Sequence, residues 1–403
     1  MKIVVAHSRY RSAAPSGENR VVDQEIAALS ALGHEVELFE RRSDDIEGWS
    51  TARKAALPAA VVWNGAARRD LRGLLRASRP DVVHVHNTFP LLSASVLYAC
   101  RDAGVPVVAT LHNYKLACAS GDFFRDGAVC HDCAGGAPRA AIQHGCYRDS
   151  RAATAPVALA ITAHRHAWRT LVSAYACISA SQRDLLRGVG LPAERVFVRH
   201  NMIPARAVRR AARRPEVVYA GRLDAAKGLP GLLAGWDSYL SGCEDAGLGL
   251  VIAGSGPLED SVRAWASSRP SVRVVGQLDP DLCAETMAAA LAVVLPSAWE
   301  ETFGLAAVEA MALGVAPVAA AHGSFPELIT DGIDGALFRP SDPAALGAAF
   351  SDIDANPGRY EEYGERARKT YEQLFDPADS MRKLVDIYDY AIAHPVARLS
   401  RTS

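Results

Sequence analysis

The sequence predicts an α/β protein of two doubly wound, Rossmann-like parallel-sheet domains, and three observations carry that prediction. Short Val-, Ile- and Leu-rich runs alternate with amphipathic stretches along nearly the whole chain. The runs are almost continuously apolar and bounded by Gly, Pro or Asp, as strands covered on both faces of a parallel sheet are. At 403 residues the chain can build two cores, and an Arg-rich, Pro-flanked segment, MIPARAVRRAARRP at 202–215, falls between two of the runs.

In order, KIVVAHS, EVELFE, DVVHVHN, VPVVATLH, YACISA and RVFVRHN read as strands of the first half. VVYAGR, LGLVIAG, SVRVVG, LAVVLPS and VAPVAA read as strands of the second. Stretches such as NRVVDQEIAALSALG and LEDSVRAWASS carry apolar residues at helical spacing between them. The expected division is 1–202, with a Cys-containing insert at 114–149, then 203–380. The last helical stretch, MRKLVDIYDYAIAH, has no strand after it, and 381–403 is expected to cross back to the first domain. Two such domains would face each other across a cleft, with ligands beyond the carboxyl ends of the strands.

Apolar residues at 49% and charged residues at 22% are ordinary for a soluble globular chain. A net charge of −1 gives no global attraction to nucleic acid or anionic membrane. The N-terminal apolar run is too short for a signal peptide. The longest apolar run, AAALAVVLP, falls below the roughly 20 residues of a spanning helix, so a cytoplasmic address is expected. Arginines 206, 209, 210, 213 and 214 read as a solvated linker, or as a peripheral contact with anionic lipid or a phosphorylated acceptor.

Three strand-to-helix loops of the second half carry chemistry. GRLDAAKG places Arg222 and Lys227 just after a strand, with Gly221 and Gly228 clearing space. A planar fork and a point charge five positions apart suit a diphosphate, although the same charges would serve a solvated surface loop. AGSGPLE repeats the arrangement with Gly254 and Gly256, which a tight turn would also explain. In WEETFGLAAVEAMALG a short helix is expected from Gly304, with Gly314 as its left-handed cap. Amides at Phe303, Gly304 and Leu305 can meet oxyanions, while Glu301 and Glu309 can accept hydrogen bonds from hydroxyls. A ligand with hydroxyls at both ends and a doubly charged middle satisfies all three loops.

These loops, in this order, resemble the donor domain of the retaining glycosyltransferases of family 4, which have the GT-B fold. The Glu301-to-Glu309 spacing followed by GSFPELITDGIDGALFRP matches that family's signature. PSGENRVVDQEIAALSALGHEV and ATLHNY resemble its N-terminal glycine loop and the strand end bearing its active-site histidine. The resemblance implies that Arg222 and Lys227 bind and stabilise the leaving diphosphate, with Gly254 in the same donor site. It implies that Glu309 holds the ribose and that Glu301, with the amides of Gly304 and Leu305, contacts the donor sugar. His112 would sit at the reacting centre, and Gly17 would let the N-terminal loop approach the phosphate. The implied reaction moves a hexosyl group from a nucleotide-diphosphate sugar to a hydroxyl of a glycan, lipid-linked or small-molecule acceptor. It retains the anomeric configuration. No metal is required if Arg222, Lys227 and the helix start suffice to stabilise the leaving diphosphate. A GT-B sugar-nucleotide epimerase and a non-catalytic nucleotide-sugar-binding subunit are the alternatives; the first is set apart by turnover without an acceptor, the second by binding without turnover.

Two features stand outside that set. His84 and His86 in VVHVHN point to one side of a strand and mimic a metal pair, but no third ligand is identifiable nearby, and they read as residues lining the acceptor-side wall. Cys118, Cys130, Cys133 and Cys146 lie within 29 residues, Cys130 and Cys133 with the two-residue spacer of zinc knuckles. They are expected to bind a structural zinc that orders the insert, with free thiols or redox-labile pairing as the alternatives.

Overall fold

The computed structural model describes residues 1–12, 16–206, 208, 212–243 and 245–396. The chain divides into two compact units, one of residues 1–123, 130–202 and 378 onwards, the other of 124–129 and 203–377. No helix among the described residues is long and apolar enough to cross a membrane.

The first unit is built on a six-stranded parallel sheet. Its strands are β1 (Lys2–Arg9), β2 (Glu35–Arg42), β3 (Val82–Asn87), β4 (Val107–Leu111), β7 (Ala174–Cys177) and β8 (Val196–Val198), while β5 (Phe124–Arg125) and β6 (Ala128–Val129) pair separately as an antiparallel hairpin. The sheet order is β2-β1-β3-β4-β7-β8, which places the reversal of strand order between β1 and β3. This is the flavodoxin-like arrangement, in which ligands sit beyond the carboxyl ends at that switch point. The helix Gly17–Ala31 follows β1, and Ser16 caps it by accepting from the Asn19 amide. Gly17 is therefore the first helical residue rather than part of an extended loop.

One face of this sheet is covered by the helix Pro377–Ala393. Met381, Leu384, Ile387, Tyr388 and Ala391 recur at helical spacing and pack with Ile3, Val5, Val22, Leu29 and Val108. Residues 124–129, the β5–β6 hairpin inside the Cys-containing insert, group with the second unit.

The second unit has strands β9 (Arg214–Ala220), β10 (Gly249–Ala253), β11 (Val272–Gly276), β12 (Ala290–Leu295), β13 (Ala316–Ala320) and β14 (Ala336–Phe338). All are parallel, in the order β11-β10-β9-β12-β13-β14, so the switch point lies between β9 and β12. Strand β14, within GALFRP, is absent from the apolar runs read in the sequence; three residues give too little pattern. Trp236, Tyr239 and Phe350 are fully buried against one another in this core.

The arginine segment is only partly a solvated linker. Arg206 pairs with Asp281, and Arg213 donates to the carbonyls of Ala290, at 2.8 Å, and Gly314. Arg214 opens β9. Arg209 and Arg210 lie outside the described residues.

Candidate functional site

In the second unit the loops after β9 and β12 meet at the switch point. Lys227 Nζ stands 2.5 Å from Glu301 Oε1, and Ser297 Oγ donates to the same oxygen at 2.8 Å. Residues 74 positions apart in sequence thus share one small site. Lys227 Nζ also lies 5.0 Å from the Trp299 ring centroid, a cation–π contact. Glu301 is buried. Burial pushes its carboxyl up, but Lys227 and the Ser297 hydroxyl outweigh that and hold it below the usual carboxylate range. It is therefore an ionised acceptor at neutral pH and cannot serve as a proton donor there.

Asp224, which the sequence reading passed over, organises the first loop. One carboxylate oxygen accepts from the Lys227 amide at 2.8 Å, and the other pairs with Arg222. The Arg222 side chain is 63% exposed, so this ion pair is weak and the guanidinium can leave it for a better anion. The aspartate was legible in principle: a short acid three residues before a loop lysine is a turn-forming signal.

Glycines let these loops interlock. Gly254 has φ +138°, and a Cβ there would come 1.9 Å from the Gly221 carbonyl oxygen. Its immediate role is thus to let the β10 loop cross the β9 loop, backbone against backbone. Gly304, at φ +80°, is the left-handed residue that starts the helix Leu305–Ala312. Glu309 is half-buried on that helix. Lys227 and Glu301 are in direct contact, Arg222 joins them through Asp224, and Gly254 lies against the Gly221 backbone; Gly304, Leu305 and Glu309 belong to the chain segment that leaves the same loop. A hollow of about 310 Å³ borders Ala225, Gly228 and Ala298. Its lining holds neither Arg222 nor Glu301 nor Glu309, so it is not the site those residues form.

In the first unit a histidine group stands at the β1/β3 switch point. His112 follows β4 and is buried; its Nε2 lies 2.9 Å from His86 Nδ1, with the rings nearly parallel. Burial, reinforced by His86, holds His112 well below the ordinary imidazole value. Burial likewise lowers His86 to about 4 and His7 to about 4. His84 and His86 do face one way, their ring centroids 4.0 Å apart. The third ligand type missing from the sequence reading is present: Glu25 Oε1 lies 3.2 Å from His84 Nδ1 and 3.3 Å from His86 Nε2. Glu25 is already paired with Arg199, at 2.5 Å. Burial would raise Glu25, yet Arg199 and the two histidines hold it well below its ordinary value.

Glu18, next to Gly17, was also missed. Its side chain is only 9% exposed, and desolvation pushes its carboxyl up to about 8, with the Asn113 amide at 3.4 Å and Lys115 only partly offsetting this.

None of the eight cysteines forms a disulfide. Cys118 and Cys133 are buried in one apolar cluster, and Cys146 packs against it. Burial raises the Cys133 thiol to about 11, with Cys118, Cys146 and Cys130 pushing the same way. Among the described residues, the only three potential metal-ligand atoms lying within 4.8 Å of one another belong to Glu25, His84 and His86. The four sulfurs therefore share a neighbourhood but are not drawn together.

Residues 15–207 match the family described as Glycosyltransferase Family 4, and residues 205–370 match Glycosyl transferases group 1. The chain belongs to the family 4 glycosyltransferases. It is an enzyme that transfers glycosyl groups. It is similar to a glycogen synthase of Mycobacterium tuberculosis, 27% identical over 93% of this chain and 91% of that one. It is also similar to a D-inositol 3-phosphate glycosyltransferase of Corynebacterium kroppenstedtii, 33% identical over 44% of this chain and 40% of that one. Among solved structures, Anabaena HepE in complex with UDP and glucose superposes with a TM-score of 0.67, at 18% identity, over 96% of this chain and 99% of that one. Sucrose-phosphate synthase from Thermosynechococcus elongatus gives 0.69, also at 18%, over 97% and 99%. These two likenesses carry the GT-B fold.

Proposed function

We propose that this glycosyltransferase is a cytoplasmic, retaining enzyme that takes a hexosyl group from a nucleotide-diphosphate sugar bound by its second unit. One observation carries the reading: Lys227 and Glu301, from separate loops, converge at the β9/β12 switch point. HepE, whose structure holds UDP and glucose, makes a UDP-sugar the first donor to test.

The slow event is rupture of the bond from the anomeric carbon to phosphate, which leaves negative charge on the diphosphate. Lys227 has three N–H donors, so it can hold Glu301 and still meet a phosphate oxygen. Arg222, itself exposed, exchanges its partner Asp224 for the same group. Amides at the start of the helix Leu305–Ala312 add their dipoles. Groups held ready for developing charge supply the largest part of such catalysis, so no metal is needed for the step. Glu301, ionised, accepts from hydroxyls of the donor sugar; Glu309 accepts from those of the ribose. Gly254 lets its loop pass close to the phosphate. His112 acts at the reacting centre as a hydrogen-bond acceptor. The acceptor is a hydroxyl of a glycan, a lipid-linked sugar or a small molecule, attacked on the face the leaving group departs from.

A panel of UDP-, GDP- and dTDP-sugars, read by thermal stabilisation, tests donor binding, since a ligand of the native state alone raises the melting point. The product's anomeric configuration, read by NMR, tests retention: inversion overturns it. Turnover of donor without any acceptor would favour an epimerase instead.

A structural zinc held by Cys118, Cys130, Cys133 and Cys146 belongs to the same proposal. Four thiolates suit tetrahedral zinc, and the influence of the other three thiols on Cys133 supports the grouping. Binding would draw the sulfurs together and deprotonate them. Metal analysis of the purified chain should find about one zinc per molecule; none at any stoichiometry rejects the site.

A further inference from the structure

We propose that Glu25 and His86 are positioning residues which fix His112 as a hydrogen-bond acceptor, presenting the Nδ1 lone pair to a sugar hydroxyl. The inference rests on the assignment of His112 to the reacting centre made above.

The argument follows the protons. Glu25 is an ionised carboxylate, clamped by Arg199 at 2.5 Å, and Arg199 is in turn held by the Ser380 carbonyl at 3.1 Å. All of this is buried, so neither partner can swing out to water. An ionised carboxylate only accepts. Facing His86 Nε2 at 3.3 Å, it favours the tautomer with the proton on that nitrogen, because two lone pairs would repel. The two atoms do not close a hydrogen bond in the structure, but the sign of the contact is set by charge. With His86 neutral, Nδ1 is then bare. The 2.9 Å contact from His86 Nδ1 to His112 Nε2 closes only if His112 carries its proton on Nε2. That leaves His112 Nδ1 as the acceptor nitrogen.

A metal reading of the same atoms is weaker. Glu25, His84 and His86 do gather ligand atoms, but the Arg199 guanidinium already supplies the positive charge. Both His84 nitrogens are engaged as well, Nδ1 with the Tyr388 hydroxyl and Nε2 with the Thr110 hydroxyl, each at 2.8 Å. A divalent ion would have to displace or sit against a buried guanidinium.

The test is long-range ¹H–¹⁵N NMR on the full chain labelled at histidine, with His112 assigned by loss of its signals in His112→Gln. Nε2 at a protonated shift and Nδ1 at an unprotonated one supports the relay. A proton on Nδ1 overturns it. His86→Gln, whose amide can turn either end towards His112, should mix the two tautomers and lower kcat roughly tenfold to a hundredfold with donor KM little changed. An unmixed wild-type pattern in that variant overturns the proposal. Glu25→Gln alone leaves Arg199 buried without a counter-ion and can fail to fold. The double variant Glu25→Gln/Arg199→Met removes both charges, and it should mix the tautomers in the same way; persistence of the wild-type pattern there also overturns the relay. His112→Ala separates the two claims. Near-normal transfer in that variant removes His112 from the reacting centre, whereas the nitrogen shifts judge the relay by themselves.

Discussion

Lys227 shows how one side chain can be both held and available. Its side chain is 29% exposed while that of its partner Glu301 is 7% exposed, so the pair is anchored on the Glu301 side and open on the other. Lys227→Ala should lower kcat about 10²- to 10³-fold, the usual effect of losing one preorganised charge-stabilising donor, with far-UV circular dichroism unchanged. Near-normal turnover would remove the electrostatic account. The same change frees Glu301 to rise towards its ordinary value. Because that carboxyl is depressed in the folded state, its stabilising contribution is present above the ordinary carboxylate range and fades as pH falls through the folded value. Acid unfolding of Lys227→Ala should therefore depend less steeply on pH over that range. Glu301 and Lys227 were legible because charge beside glycine at a strand end is a local pattern. The carboxylate's burial was not.

At the scale of elements, the second unit repeats one device: a strand ends, a glycine turns the chain, and a helix leaves. Gly228 and Gly254 are the most demanding instances: a Cβ there would come 1.8 Å from the Pro296 carbonyl oxygen and 1.9 Å from that of Gly221, neither of which can rotate away. Gly254→Ala should cost about 1–3 kcal/mol through strain and forced loop displacement, seen as a lower melting point of the second unit and weaker donor binding together. A variant as stable as the parent would contradict the close crossing of the β9 and β10 loops. In the first unit the helix Gly17–Ala31 buries Glu25 on the same face as Val22 and Leu29. An acid at a core-facing position was visible in the helical spacing, but its partner Arg199 is 174 residues away.

For the whole molecule, two non-local facts decide stability. The first is the closing helix. Truncation before Pro377 uncovers Ile3, Val5, Val22 and Val108 and removes the Tyr388 hydroxyl from His84. The shortened chain should aggregate or lose its near-ultraviolet circular dichroism, whereas a soluble, cooperatively folding product would refute that role. The second is the buried titratable set of the first unit. His7 and His86, lowered from 6.5 to about 4, stay neutral when folded; unfolding lets them take up protons, so stability falls as pH drops from 6.5 towards 4. Glu18, raised from 4.5 to about 8, keeps its proton when folded; its contribution is lost as pH rises through that range. Between pH 6.5 and 8 Glu18 alone of these three acts, at up to about 1.4 kcal/mol per pH unit. Glu18→Gln should flatten the decline in unfolding free energy over that interval, and an unchanged slope would refute the raised value.

The sequence by itself determined the α/β class, the two domains and the glycine-bearing strand-to-helix loops of the second. Each is written in short-range signals: near-continuous apolar runs, glycines at strand ends, charges a few residues apart. Tertiary structure alone decided that the first sheet runs β2-β1-β3-β4 rather than in the order of the second. It alone joined Glu25 to Arg199 beneath His112, raised Glu18, and set the closing helix against the first sheet. The physical reason is common to all of these. Strand order, desolvation and the pairing of buried charges depend on which distant segments pack together, and no local pattern of residues records that choice.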